Sequence, residues 1–227
     1  MKSFINLNSK IIQCHLCDRL VDFRLSIAKK KRKMYQNETY WGKPIVGFGD
    51  INAELMIVGL APAAHGGNRT GRVFTGDKSS DFLFKCLNKV GISNNNYSNY
   101  KNDGLILYNT YLTLSVKCVP PEDKPTKQEL INCFNYLKIE IQHLRNIKVI
   151  LALGKIAFDS IVTFYKVEYS TDTKKYKFGH GSEYKLPDNK ILIGCYHPSP
   201  RNVNTGRIDY KKFVTLLEYI KRNFKIA

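Results

Sequence analysis

Four short apolar runs punctuate the chain: 55–59 (LMIVG), 111–116 (YLTLSV), 149–153 (VILAL) and 191–195 (ILIGC). They are near-continuous rather than alternating, as strands of a parallel sheet covered on both faces must be. The segments between them carry a helical period. Residues 79–90 place Phe82, Leu83, Cys86, Leu87 and Val90 on one face. Thr126 to Glu129 is a capping box, followed by Leu130, Phe134, Leu137 and Ile141 on a single stripe. Residues 154–165 and Tyr210–Phe224 repeat the pattern, and residues 3–33 read as largely helical, with a cysteine pair inside and a basic end. Strands alternating with helices predict an α/β fold, a three-layer α/β/α sandwich around a central four-stranded parallel sheet. No repeat or low-complexity linker divides residues 1–227, which read as one domain. Residues 93–100 (SNNNYSNY) read as a polar loop.

In such sheets ligands bind beyond the carboxyl ends of the strands. Three unusual segments are predicted there: 61–77, 117–125 and 197–207. The first belongs to GLAPAAHGGNRTGRVFTGD, residues 59–77. Its glycines let backbone approach a ligand closely. Gly71 to Gly76 followed by Lys78-Ser79 nearly makes a phosphate-binding loop, but Asp77 displaces the lysine, and a carboxylate there repels nucleotide phosphates. An NTPase is therefore set aside. Asp77 can accept a proton from water or stabilise a developing cation; equally, it can cap the helix beginning near Ser79. Arg69 and Arg72 suit phosphate oxygens, or are solvated surface charge. Phe74 can stack on a base, or fill the core.

The last segment reads HPSPRNVNTGR, 197–207. Prolines stiffen its start, so His197 holds a defined place past the strand. There it can donate a hydrogen bond to a developing oxyanion. Arg201 and Asn202 can enter a groove or fill the gap left by an extruded base.

Charge changes the picture. Lys and Arg number 36 against 19 Asp and Glu, a net +17, and a surface this basic favours a polyanion. Nucleic acid is the first candidate, ahead of an anionic membrane or the ribosome. Lys29-Lys30-Lys31-Arg32-Lys33 concentrates five cations, suited to a DNA backbone or to a solvated helix end. The N-terminus lacks the apolar core of a signal peptide, and no run is long enough to span a bilayer. The expectation is a cytoplasmic, nucleoid-associated protein with no membrane partner.

Six cysteines in a reducing compartment suggest metal more than disulfides. Cys14 and Cys17 form a CxxC pair; Cys118, at the end of the second strand, and Cys133, on the flank of the capped helix, make a looser one. Four thiolates suit zinc or an iron–sulfur cluster, and spacing does not choose. Cys86 and Cys195 read as packing cysteines.

Together these motifs resemble the uracil-DNA glycosylase superfamily, most closely its family 5 iron–sulfur enzymes. The resemblance rests on Tyr40 to Pro44 (YWGKP), Gly47 to Asp50 (GFGD), the 59–77 loop, VKCVPP at 116–121, LALGKIAFD at 151–159, FGHG at 178–181, and HPSPRNVNTGR. It implies a [4Fe–4S] cluster on Cys14, Cys17, Cys118 and Cys133 in a structural role, the helical segment of residues 1–35 contributing. It implies monofunctional hydrolysis of the N-glycosidic bond of uracil, and of other deaminated or modified bases, leaving an abasic site for base excision repair. Asp77 and His197 become the catalytic pair. Phe74, Ala63 and Asn204 would hold the base, and Arg69, Arg72, Arg201, Asn202, Lys30, Lys31 and Arg32 the DNA. A sliding clamp is a candidate recruiter, and a monomer is expected.

The chain departs from the family in its basic run, which is heavier than expected, and at two positions by the site. Related enzymes read uracil with an Asn near the end of the second strand, where this chain has Thr113-Leu114-Ser115, and Asp123 stands where Asn is expected. The competing reading is a non-catalytic nucleic-acid-binding module built on a four-cysteine metal site. Turnover on lesion DNA separates the two.

Overall fold

The structure, a computed structural model, describes residues 2–226. Six strands form one sheet: β1 (Phe48–Gly49), β2 (Leu55–Gly59), β3 (Thr110–Leu114), β4 (Val149–Leu153), β5 (Glu183–Lys185) and β6 (Ile191–Cys195), in the order β1-β3-β2-β4-β6-β5. The four apolar runs are its parallel centre. The expected four strands become six because β1 and β5 add antiparallel edges. Both are very short and partly exposed, so neither leaves an apolar run to read. The third segment of the sheet also ends earlier than its pattern suggests. The chain leaves at Ser115, and the N–H groups of Ser115 and Val116 turn to the carbonyls of Gly59 and Leu60. Cys118 thus stands past the strand rather than at its end.

Helices cover both faces. They are α1 (Lys2–Ile12), α2 (Asp18–Lys30), α3 (Gly67–Thr70), α4 (Lys78–Lys89), α5 (Lys127–His143), α6 (Lys155–Tyr169), α7 (Pro200–Asn204) and α8 (Tyr210–Phe224). The N-terminal segment is two helices, broken at the CxxC pair. On one face Leu83 and Leu87 of α4 and Phe213 and Leu217 of α8 pack on Ile57, Leu112, Leu151 and Ile193. On the other, Leu137 and Ile141 of α5 and Phe158 and Ile161 of α6 pack on Met56, Val58, Ile150 and Ala152. Alternate residues of each strand therefore serve opposite layers, which is why the strands show no polar alternation. Each such side chain contributes about 1.5–3 kcal/mol on burial. Among the described residues no helix is long and apolar enough to cross a membrane.

From β2 the chain goes to β3 on one side and, through β4, to β6 on the other. That reversal opens a crevice beyond the carboxyl ends of β2 and β4. The segments after β2, β3 and β6 all rise at this edge.

Candidate active site

A pocket of about 820 Å³ opens beside the loop that follows β2. Ala63, His65 and Gly66 of the loop, Asp77 and Asp81 at the start of α4, and Asp123 line it. The turn after α2 supplies Arg32 and Tyr35, so the basic run is brought to its rim. The loop is pinned from behind. Trp41 and Gly42 donate their N–H groups to the carbonyls of Arg69 and Asn68 at 2.9 and 3.0 Å, and Arg24, buried under α2, bonds the Gly42 carbonyl.

Arg69 and Arg72, expected at phosphate oxygens, pin the loop from within. Arg72 is 4% exposed. Its Nε donates to Thr75, one terminal nitrogen to the Lys101 carbonyl and Asp103 Oδ1, the other to Ser98 and Asp103 Oδ2. That uses every donor a guanidinium has. Burial alone would raise the Asp103 carboxyl, but Arg72 and the N–H groups of Tyr100 and Asn99 prevail and hold it at about 2. Arg69 donates to Glu38 at 2.5 Å and to the His65 carbonyl at 2.7 Å, with its guanidinium 4.0 Å from the Tyr35 ring centre. Replacing Arg72 by Ala should destabilise by about 3–5 kcal/mol, because Asp103 is left buried and unpaired. Thermal melting should drop accordingly, while the salt dependence of DNA binding stays as in the wild type.

Asp77 takes the capping role its sequence allows and leaves one oxygen over. It is the N-cap of α4, and Oδ1 alone takes the N–H groups of Ser79 and Ser80, at 2.8 and 2.9 Å. Oδ2 has no partner among the described residues and lies by the pocket, so close to Gly66 that a Cβ there would come within 2.4 Å of it. Burial raises this carboxyl above its ordinary value against the pull of the two N–H groups, and Asp81 and Asp123 add to the rise. A raised carboxylate is a stronger base than a solvated one.

His197 stands past β6, its Cβ above Gly154 at the end of β4. Asn202 donates to the His197 carbonyl at 2.9 Å, which positions the histidine and takes up that amide. Burial pushes the imidazole down to about 4, so it is neutral near pH 7. Because this pKa is lower folded than unfolded, the unfolded chain takes up the proton first as pH falls. Stability is therefore fully present above about 6.5 and is lost as pH falls towards 4, by at most about 3 kcal/mol. Denaturant titrations of the wild type and His197→Gln should differ in pH slope over that window.

Phe74 is mainly core, its ring end against Gly59 and its exposure 8%, yet its φ is +49°, a strained value that favours glycine. Arg201 and Asn204 lie exposed on α7, and Lys30 ends α2 in solvent. Neither His197 nor Phe74 lines the Asp77 pocket.

The four cysteines singled out by spacing gather at one place. Cys14, Cys17, Cys118 and Cys133 line one small cleft, with about 10 Å³ of open space, between α2, α5 and the segment after β3. Burial, with Cys133, Cys14 and Cys17 adding to it, pushes the Cys118 thiol up to about 12. Donors surround the sulfurs: Asn132 reaches Cys17 Sγ at 3.3 Å, and the Lys117 N–H reaches Cys133 Sγ at 3.5 Å. Arg19 grips Glu129 bidentately at 2.8 and 2.7 Å, tying α2 to the capping box of α5. Among the described residues no three His, Cys, Asp or Glu side chains are grouped to hold a single metal ion. Cys86 and Cys195 are fully buried in the core.

Residues 46–221 match the model of the uracil DNA glycosylase superfamily. The chain belongs to that superfamily. It is 41% identical over 209 residues to a type-5 uracil-DNA glycosylase of Thermus thermophilus, covering 92% of this chain and 93% of that protein. A type-5 enzyme of Pyrobaculum aerophilum is 41% identical over 219 residues, 96% of this chain and 90% of the relative. A type-4 uracil-DNA glycosylase of Archaeoglobus fulgidus is more distant, 24% over 203 residues, 88% and 83%.

The two departures from the superfamily pattern have physical consequences. Thr113 serves the far side of the sheet, where its hydroxyl donates to Glu140 at 2.7 Å and accepts from Lys117 at 2.6 Å, all three buried. The polar group left near the site is Ser115, whose Oγ is buried without a partner among the described residues. Asp123 and Glu122 both hold left-handed φ, +57° and +54°, and that turn carries Asp123 to the pocket wall. Sequence reasoning missed His65, whose signal was a histidine between the apolar residues 61–64 and the glycines 66 and 67.

Proposed function

We propose that this chain is a monofunctional DNA glycosylase that hydrolyses the N-glycosidic bond of uracil, and of other deaminated or modified bases, in DNA. Asp77 carries the reading. One oxygen of its carboxylate is spent on a helix cap, and the other is held free at a pocket at the carboxyl edge of the sheet. β2 and β6 are separated by β4, two strand spacings or about 10 Å. That is of the order of a nucleoside's length from sugar to the far edge of its base. A flipped nucleotide would put its sugar near Asp77 and its base towards His197.

As the glycosidic bond breaks, its electron pair leaves with the base. A neutral His197 donates a hydrogen bond to the oxygen that becomes negative. Asp77 stabilises the cationic sugar and takes a proton from the attacking water. Phe74, Ala63 and Asn204 flank the base; Arg201, Lys30, Lys31 and Arg32 meet the phosphates. Arg69, Arg72 and Asn202 hold the loops that present these groups. DNA is the partner, and the two-carboxylate arrangement of ordinary glycosidases is not needed.

Cys14, Cys17, Cys118 and Cys133 would hold a [4Fe–4S] cluster, whose contribution when bound is structural cross-linking. The residues present suit it: four thiols in one pocket, with N–H donors to the sulfurs. They tie the CxxC segment to α5 and the chain after β3, and so support the basic run at the pocket rim. Chromatography of bases released from duplexes bearing uracil, hypoxanthine or thymine tests the substrate range. Free uracil is expected, and tight binding with no released base would move the assignment to a binding module.

A further inference from the structure

His65 is the loop histidine that the reading above leaves without a role. Its Nδ1 is 2.9 Å from the hydroxyl of Tyr40, and the rings meet edge to face at 79°. Tyr40 is buried and takes no part in the pocket wall, whereas His65 does. The Tyr40 oxygen accepts the Arg32 N–H at 3.4 Å, so its own hydrogen is free for Nδ1. With the Tyr40 hydroxyl donating to Nδ1, the ring hydrogen would sit on Nε2. Burial, with Arg32 and Arg69 nearby, lowers the imidazole's pKa and favours the neutral ring. Nε2 has no partner among the described residues and belongs to a ring on the pocket wall.

The acceptor that matches this donor is close by. Asp77 Oδ2 lies against Gly66, the residue next to His65, and is likewise without a partner among the described residues. An acceptor and a neutral donor on residues that line one pocket offer a water two partners there. The water donates one hydrogen to Asp77 Oδ2 and accepts the Nε2 hydrogen, leaving a second lone pair for attack. Residues 61–64, the earlier part of the loop, offer only apolar side chains for this work.

We propose that His65 is a catalytic residue that holds the attacking water against Asp77 Oδ2, and that Tyr40 is the positioning residue that keeps its ring in the Nε2–H form. The inference rests on the glycosylase reading. In the step, the C1′–N bond breaks with its electron pair leaving on the base. The water oxygen bonds C1′, one water proton passes to Asp77 Oδ2, and the base anion is protonated from solvent.

Single-turnover rates on a uracil duplex, DNA affinities and ¹⁵N NMR of His65 test it. His65→Ala should lower the chemical rate about 10- to 100-fold, with the Kd for DNA unchanged within about twofold. His65→Gln, whose amide keeps a donor, should recover most of the loss. The spectrum should show protonated Nε2 and bare Nδ1 in the wild type, and mixed tautomers in Tyr40→Phe, with a rate several-fold lower. His65→Gln and Tyr40→Phe should melt near the wild type, so a folding defect in His65→Ala leaves the test intact. A wild-type rate in His65→Ala, or a wild-type Nδ1–H tautomer, would overturn the proposal while leaving the glycosylase reading standing. Release of no uracil by wild-type protein would overturn that reading instead, and the NMR result would still report on the Tyr40 lock.

Discussion

Asp77→Asn should lower the single-turnover rate of uracil release by about 100-fold or more, with melting temperature changed by only a few degrees. The substitution separates the two jobs of this side chain. Asn caps helices about as well as Asp, so the bonds to Ser79 and Ser80 can be kept through its amide oxygen. What is lost is the charge at Oδ2, which in the proposed mechanism stabilises the cationic sugar and takes the water's proton. Burial already raises this carboxyl, so removing its charge carries little stability penalty. Asp77→Ala should lose both functions, adding a cap defect of about 1 kcal/mol to the same rate loss. A near wild-type rate in Asp77→Asn would reduce Asp77 to a cap.

Cys133→Ser should remove the iron–sulfur absorbance and lower the melting temperature on the order of 10 °C. Cys133 is 5% exposed on α5, facing Cys118 and Leu20 in a small cluster of its own. Without the cluster the CxxC segment keeps the Arg19–Glu129 pair and the Asn132 bond to the Leu16 carbonyl. Arg19 is partly solvent-exposed, and ion pairs of that kind contribute about 1 kcal/mol or less. DNA affinity should fall with the displaced basic run, and the salt dependence should flatten as phosphate contacts are lost. Cys86→Ser should leave the absorbance unchanged. Full absorbance in Cys133→Ser would remove Cys133 from the ligand set.

The parallel core was legible because burial on both faces leaves near-continuous apolar runs, and α8 because its stripe and cap run from Asp209 to Phe224 without a break. The edge strands were not legible, since two and three residues of mixed exposure carry no period. The loop was recognisable by its glycines, but the state of its arginines was not. Arg72 reads as surface charge until Asp103 folds back across 31 residues to meet it. His65 stood out as a histidine in the loop, but its partner, the Tyr40 hydroxyl, lies 25 residues away and could not be read. Asp77 was legible as a cap, and a carboxylate with two oxygens can cap through one and leave the other for the proposed base.

The most direct test is a single-turnover reaction of cluster-loaded protein with a labelled duplex bearing one uracil opposite guanine, sampled before and after hot alkali. The account predicts an intact strand before alkali and cleavage at the uracil position after it, with cleavage suppressed in Asp77→Asn. An intact strand after alkali, from protein that binds the duplex tightly, would contradict it.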